Sequence, residues 1–168
     1  MQTFTYSFFY KFVFRFGNIF VTVLLLLHLV PVVYNIDQNI LLILPLIISI
    51  VIIYVVNKNY LNYYKLLPYK IEADEEKMIC SNFLFSKRVV TIRYEDIELL
   101  RGGIFDGKLS GILKVGDGKN NVQIGFSQKI NSSGKLISLI LSKVSKELYN
   151  RVIDHLTEKG KGKNQRSR

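Results

Sequence analysis

The sequence contains a single cysteine, Cys80, among its 168 residues. One cysteine cannot form a disulfide within the chain, and it cannot supply a set of thiolate ligands for a metal ion. This scarcity excludes a disulfide-stapled fold and a cysteine-based metal site. Because Cys80 lies within an apolar run, we interpret it as a small core residue.

Charged residues are missing from two long stretches near the amino terminus. Residues 16–34 and 39–57 contain no Asp, Glu, Lys or Arg and consist mostly of large apolar residues. About 20 such residues, rising ~1.5 Å each in a helix, cross the ~30 Å hydrocarbon core of a bilayer. The connector, residues 35–39, is short and polar. We therefore predict a two-helix membrane hairpin within an anchor region at residues 1–67.

Cations flank this hairpin on one side only. Lys11 and Arg15 precede the first span, Lys58 and Lys65 follow the second, and the connector has none. The positive-inside rule then predicts a multi-pass protein of the inner (plasma) membrane with both termini in the cytoplasm. A cleaved signal peptide is the competing interpretation. It would need small residues at its cleavage site, and Ala73 is the only alanine.

Aromatic residues recur at every second position ahead of the first span. This period is typical of a β-strand, but aromatic rings are also enriched at membrane interfaces. Two interpretations therefore stay open, an extended segment that joins the cytoplasmic sheet and an interfacial belt, and we favour the belt. The residues are Phe4, Tyr6, Phe8, Tyr10, Phe12, Phe14 and Phe16.

His28 is the only Asp, Glu, Lys, Arg or His side chain within the two predicted spans. Ionisable groups are costly to bury in lipid, so His28 is a candidate intramembrane polar site. Pro31 and Pro45 would each remove a backbone hydrogen bond from a span. One interpretation is a kinked, polar hairpin that acts in membrane sensing or transport. The other is structural: two helix kinks, and a neutral imidazole that forms a hydrogen bond to the partner helix.

From residue 68 the apolar residues alternate with polar ones in short runs between turn signals. Six or seven mostly antiparallel strands are predicted for a cytoplasmic domain at residues 68–156. The runs are residues 69–73, 78–85, 90–94, 96–100, 109–115 and 122–126.

The pattern becomes helical after residue 131. One apolar stripe predicts a single carboxy-terminal helix that covers the sheet, with Ser132 or Ser133 as its amino-terminal cap. Residues 157–168 are predicted to be a basic, disordered tail. The stripe consists of Ile137, Ile140, Leu141, Val144, Leu148, Val152 and Leu156.

These elements resemble those of the bacterial pleckstrin-homology-like (PH-like) membrane proteins. The resemblance is carried by residues 88–100, RVVTIRYEDIELL, where a basic turn and an apolar strand lead through Tyr-x-Asp-Ile into the next strand. It implies an α+β fold: a two-helix transmembrane hairpin, then a small antiparallel PH-like barrel or sandwich of six or seven strands capped by a carboxy-terminal helix. It implies no activity.

The cations are candidate contacts with an anionic surface, and the alternative is that they serve only to keep the domain and the tail soluble. Lysine and arginine number 23 against 13 acidic residues. A phosphoinositide site at the first hairpin turn is not expected, because that turn is Asp74-Glu75-Glu76 and a polyphosphate needs clustered cations. The tail lacks interleaved aromatic residues, which argues against nucleic acid and favours anionic headgroups. The candidate contacts are Lys87, Arg88, Arg93, Lys159, Lys161, Lys163, Arg166 and Arg168.

Residues for catalysis or for a cofactor are not apparent in the sequence. It has no glycine-rich loop followed by Lys-Ser or Lys-Thr, and its two histidines, His28 and His155, are far apart. Glu95 and Asp96 are expected on opposite faces of a strand. We therefore predict a non-enzymatic membrane protein without a cofactor, whose partners are the bilayer and another protein or a second copy of the chain.

Overall fold

The computed structural model describes residues 1–37, 39–108 and 111–165, with side chains up to residue 158. The chain divides into two compact units. Residues 8–65 form one unit, and residues 1–7 form the other together with the chain from residue 66 onward. The hairpin is therefore an insertion within the β domain, after its first seven residues.

The inserted unit consists of two long helices. Helix α1 (Phe8–Tyr34) is followed by a 3₁₀ turn (Ile40–Leu42) that leads into helix α2 (Ile43–Tyr64). Both are long and apolar enough to cross a membrane, and they are largely unburied. They extend beyond the predicted spans because no helix-breaking residue separates the apolar runs from the flanking aromatic residues and lysines.

The amino-terminal aromatic segment is divided between the two units. Strand β1 (Gln2–Thr5) pairs with the domain, and α1 begins at Phe8. Phe4 and Tyr6 are each 2% exposed and belong to the core. The favoured interfacial belt is therefore wrong for these first residues, whose alternation reflects a strand with one face buried.

The described residues form seven strands in two antiparallel sheets. The first has the order β1-β2-β3-β4, and the second has the order β5-β6-β7. Six or seven strands were expected after residue 68; six of the described strands follow that residue, and the seventh, β1, comes from the amino terminus. The predicted start at Asp96 is wrong by one residue because Tyr94–Asp96 form a 3₁₀ turn. The strands after β1 are β2 (Pro68–Ala73), β3 (Lys77–Phe83), β4 (Val90–Arg93), β5 (Ile97–Arg101), β6 (Ile112–Asp117) and β7 (Val122–Ser127).

The two sheets meet at one corner of the domain. The Gly125 N–H donates to the Leu66 carbonyl at 2.8 Å, and the Asn131 N–H donates to the Thr5 carbonyl at 2.9 Å. The Tyr6 hydroxyl accepts from the Ser127 N–H at 2.7 Å. The described strands nevertheless do not close into a barrel, contrary to the barrel form of the prediction, because no ladder joins β4 to β5, which the Tyr94–Asp96 3₁₀ turn separates.

Two helices, and not one, follow the sheets. Helix α3 (Ser133–Lys143) ends at Lys143, and α4 (Lys146–Gln165) begins after Ser145, whose Oγ accepts from the Leu148 N–H at 3.2 Å. This cap interrupts the predicted continuous stripe. The position before α3 is Ser132, but its side chain makes no capping bond. The buried side chains are those of Leu136, Ile140, Leu148 and Val152.

The carboxy-terminal segment differs from the predicted disordered tail. Helix α4 continues through Gln165, so residues 157–165 are helical. Lys and Glu are good helix formers, and a helix that has begun propagates at little cost. Residues 166–168 lie outside the described part of the chain.

The Tyr6–Ser127 hydrogen bond yields a test of the amino-terminal strand. Tyr6→Phe removes the acceptor of a backbone donor and should lower the free energy of unfolding by about 1–3 kcal/mol. Thermal or denaturant unfolding of the full chain in detergent measures this change. Tyr149→Phe, at an exposed position on α4, is the matched control. Equal stabilities of the two variants would contradict the packing of the amino terminus against β7.

Candidate functional site

The predicted cationic cluster is divided between two ends of a strand. Lys87 and Arg88 are exposed in the loop between β3 and β4, residues 84–89, which we call the β3–β4 loop. Arg93 is the last residue of β4 and pairs with Lys77, whereas Val90 at the start of β4 pairs with Cys80. At ~3.3 Å per residue, Arg93 lies about 10 Å along the sheet from the loop. The structure therefore brings Lys87 and Arg88 together and separates Arg93 from them.

The β3–β4 loop is ordered by its own contacts. The Ser86 N–H donates to the Phe83 carbonyl at 3.3 Å, and the Ser86 Oγ accepts from the Arg88 N–H at 3.2 Å. The Arg88 guanidinium carbon lies 4.1 Å from the centre of the Phe83 ring, which is a cation–π contact. Phe83 and Leu84 are buried. The base of the loop is thus fixed on the core.

The tip of this loop carries exposed apolar side chains. Phe85 is 71% exposed and Val89 is 62% exposed. Phe85 also has a positive φ of 53°. That left-handed conformation costs an L-residue roughly 1–2 kcal/mol, and it is unusual for a bulky side chain. Packing within the described chain does not account for an aromatic residue at this position.

The opposite end of the same sheet is acidic and internally paired. In the β2–β3 turn, the Asp74 carboxylate accepts from the N–H groups of Glu76 at 3.0 Å and Lys77 at 2.9 Å. These bonds hold the pKa of Asp74 below its usual value. Lys143 donates to Glu75 at 2.5 Å and lowers the pKa of that carboxyl. Two of the three carboxylates of the turn are therefore bound within the domain.

Other titratable residues lie near this acidic end. Arg93 pairs with Glu95 at 3.3 Å. Glu95 and Asp96 belong to the 3₁₀ turn, so the prediction that they lie on opposite faces of a strand is wrong. The buried Tyr94 hydroxyl has no hydrogen-bond partner in the described structure, and its burial raises the pKa to about 12. Among the described residues, no group of three His, Cys, Asp or Glu is arranged to hold a metal ion.

A cleft of about 360 Å³ lies between β5, the Gly103–Asp106 turn and α4. Leu100, Phe105, Leu148 and Val152 are buried beneath it. The His155 Nε2 lies 3.9 Å from the Asp106 Oδ1, so the two side chains form an ion pair when the imidazole is protonated. Sequence reasoning missed this cleft because its walls come from segments that only the tertiary fold brings together. The charged residues that line the cleft are Glu98, Arg101, Asp106, Arg151 and His155.

The hairpin unit brings together polar residues other than His28. His28 is exposed on α1. Asn18 is 9% exposed, and its Nδ2 donates to the Asn57 Oδ1 at 2.6 Å. The Asn57 Nδ2 donates to the Thr22 Oγ1 at 3.0 Å and to the Ile53 carbonyl at 2.8 Å. We call this set the Asn–Thr–Asn cluster.

The sequence carries a signal for this cluster. The polar connector begins at Asn35 and ends at Asn39. Asn18 lies 17 residues before Asn35, and Asn57 lies 18 residues after Asn39. Residues at equal distances from a tight connector face each other in an antiparallel helix pair.

The remaining predicted cations cannot be placed as a site. Lys159, Lys161 and Lys163 lie on α4, but their side chains are outside the described set. Arg166 and Arg168 lie outside the described residues altogether. Contact of this segment with anionic lipid stays a prediction.

The Asn–Thr–Asn cluster yields a test of the pairing of α1 with α2. Asn57→Leu should lower the stability of the full chain by about 0.5–2 kcal/mol, the range measured for hydrogen bonds between membrane helices. Unfolding in mixed detergent micelles measures it. Asn59→Leu, at an exposed position on the same helix, is the matched control. A double-mutant cycle with Asn18→Leu should give strongly non-additive effects, and additivity would contradict the contact.

The geometry of the described residues thus offers three features: a basic loop with exposed apolar residues, a cleft beside α4, and a polar cluster between two apolar helices. The sequence predicted two residues of the first feature, Lys87 and Arg88, and it predicted neither the cleft nor the polar cluster. Comparison with protein-family models, curated proteins and solved structures finds no match.

Proposed function

We propose that this chain is a two-pass membrane protein that presents a non-enzymatic, PH-like β domain at the cytoplasmic face, where the domain associates with another protein or a second copy. The observation that carries the proposal is the pairing of β1 with β2. These neighbouring strands flank the inserted helices in the sequence, from Phe8 to Lys65.

This pairing supports a hairpin that crosses the membrane an even number of times. Gln2 pairs with Ala73, and Thr5 pairs with Lys70. Two strands bonded in one sheet lie on the same side of a bilayer, so the chain between them must return to the side from which it left. Two apolar helices, Phe8–Tyr34 and Ile40–Tyr64, meet this requirement. A cleaved signal peptide does not, since its removal would take β1 from the core.

The distribution of cations supports a cytoplasmic domain. Lys11 and Arg15 lie near the start of α1, and Lys58 and Lys65 lie near the end of α2. The connector between the helices has no cation and one acid, Asp37. The end of the hairpin that joins the β domain is therefore the positive one, as the positive-inside rule requires for the cytoplasmic side.

The strand order supports the PH-like assignment. Two antiparallel meanders of four and three strands, followed by carboxy-terminal helices, agree with the resemblance carried by residues 88–100. Two features depart from the expected pattern. The hairpin is inserted after the first strand, and the described sheets do not close into a barrel.

The outer surface of α4 supports association with a protein. Tyr149 and Ile153 are 41% and 39% exposed, and they lie one helical turn apart on the same face. Charged residues flank them, including Lys146, Arg151 and Asp154. A small apolar centre with a charged rim has the composition of a protein–protein contact.

Membrane topology can be tested with introduced cysteines. Burial raises the pKa of the Cys80 thiol to about 12, so the native cysteine gives little background reaction. An impermeant thiol reagent should label Asp37→Cys in right-side-out vesicles and Glu76→Cys in inside-out vesicles. Labelling of both positions from the same side would contradict the hairpin, and the reverse pattern would contradict the orientation.

Association can be tested with a photo-crosslinking residue in place of Tyr149. In native membranes it should yield an adduct of one defined mass, either twice that of the chain or the sum of the chain and one partner. The same residue in place of Ser138, which is exposed on α3, serves as the control. Identical patterns at the two positions would count against association through α4.

A further inference from the structure

We propose that the β3–β4 loop docks on the anionic cytoplasmic leaflet, with Phe85 and Val89 in the interfacial region and Lys87 and Arg88 against lipid phosphates. This inference rests on the proposed function in one respect, since it needs the hairpin to lie in the same bilayer. It adds a second, peripheral contact between the β domain and the membrane.

The first argument is the residue at the loop tip. The described residues other than glycine that have positive φ are Asn82, Phe85, Asn121 and Ser132. Asn adopts this conformation readily, because its short polar side chain bonds locally, whereas Phe does not. Phe85 is also 71% exposed, so neither the local backbone nor core packing explains it. A contact outside the chain does explain it, and aromatic rings favour the membrane interface.

The second argument is charge. Residues 77–93 contain no Asp or Glu, and Lys87 and Arg88 lie between the two exposed apolar residues. Arg88 stacks on the buried Phe83 ring, so its charge is held at the loop. Apolar tips with adjacent cations suit a surface that presents hydrocarbon and phosphate together, which is the composition of an anionic leaflet.

The third argument is the position of the loop in the sheet. Phe83, at its base, pairs with Pro68, which is three residues after Lys65, the last residue of the hairpin unit. Three residues span at most ~11 Å. The loop therefore leaves the sheet at the end where the chain departs for the hairpin. The acidic turn at residues 74–76 lies at the other end of β2, about 20 Å away at ~3.3 Å per residue.

The experiment uses the full chain in vesicles made from phosphatidylcholine alone or from an equal mixture with phosphatidylglycerol. A fluorophore on Val89→Cys reports contact with a lipid that carries a nitroxide quencher near its headgroup. Glu76→Cys, at the opposite end of the sheet, is the matched control. Ile48→Cys on α2, near the middle of the second span, reports the hairpin itself in vesicles whose quencher lipid carries its nitroxide on the acyl chain.

We expect quenching at position 89 to be several-fold stronger than at position 76, and to require phosphatidylglycerol. Phe85→Gly, which the left-handed backbone accommodates, should reduce it to the level at position 76. Lys87→Gln should reduce the partition of the loop into the leaflet about 5-fold, which corresponds to ~1 kcal/mol per cation near an anionic surface. Lys135→Gln, an exposed cation on α3, should leave it unchanged.

Three results would overturn the inference while Ile48→Cys remains quenched. The first is equal quenching at positions 89 and 76. The second is equal quenching of position 89 in the two lipid compositions. The third is a position 89 that is not quenched by lipid but crosslinks to a protein in native membranes. Loss of quenching at Ile48→Cys would instead refute the membrane hairpin, and with it the proposed function.

Discussion

The antiparallel ladder between β1 and β2 is the contact on which the rest of the structure depends. It joins Thr5 to Lys70, residues separated by 64 others. Closing a flexible loop of that length is entropically unfavourable. The intervening chain is a helix pair, however, and its open end is held together by the ring contact of Phe14 with Tyr64 and the Tyr60 hydroxyl bond to the Phe14 carbonyl. The hairpin therefore brings the two strands that flank it in the sequence within reach of each other.

The same register gives the first sheet a charge polarity. Its β3–β4 end carries Lys87 and Arg88, while its β2–β3 end carries the turn Asp74-Glu75-Glu76. Because Pro68 pairs with Phe83, the basic end is the one from which the chain leaves for the hairpin. An anionic leaflet would attract that end more strongly than the other, where Lys77 and Arg93 lie near the carboxylates. A shift of one residue in the register would exchange the buried and exposed faces, so the core pairs Phe4–Ile71 and Ile71–Cys80 hold the register in place.

Local patterns predicted most elements of the fold, and long-range pairing accounts for what they missed. The strands after residue 68 follow from alternation between turn signals, and the hairpin follows from uncharged runs of sufficient length. The sequence pattern did not identify strand β1, because alternating aromatic residues are typical of both a strand and a membrane interface. The strand with which β1 pairs, β2, is also distant in sequence. The break between α3 and α4 was hidden by apolar residues that continue through Val144, although Ser145 offered a cap. Arg93 was grouped with Lys87 and Arg88 because proximity in sequence does not show that a strand separates them.

Phe85 is the point at which local preference and fold disagree most clearly. At Asn82 and Asn121 the chain adopts left-handed conformations with a residue that tolerates them. At Phe85 it retains an aromatic side chain that is strained in the backbone and exposed to solvent. Natural sequences are locally consistent except where another requirement prevails, and such exceptions concentrate at functional sites. The strain at Phe85, the exposure of Val89 and the adjacent cations fall within one six-residue loop at the end of the sheet that leads to the hairpin, so a single contact with the leaflet accounts for all three.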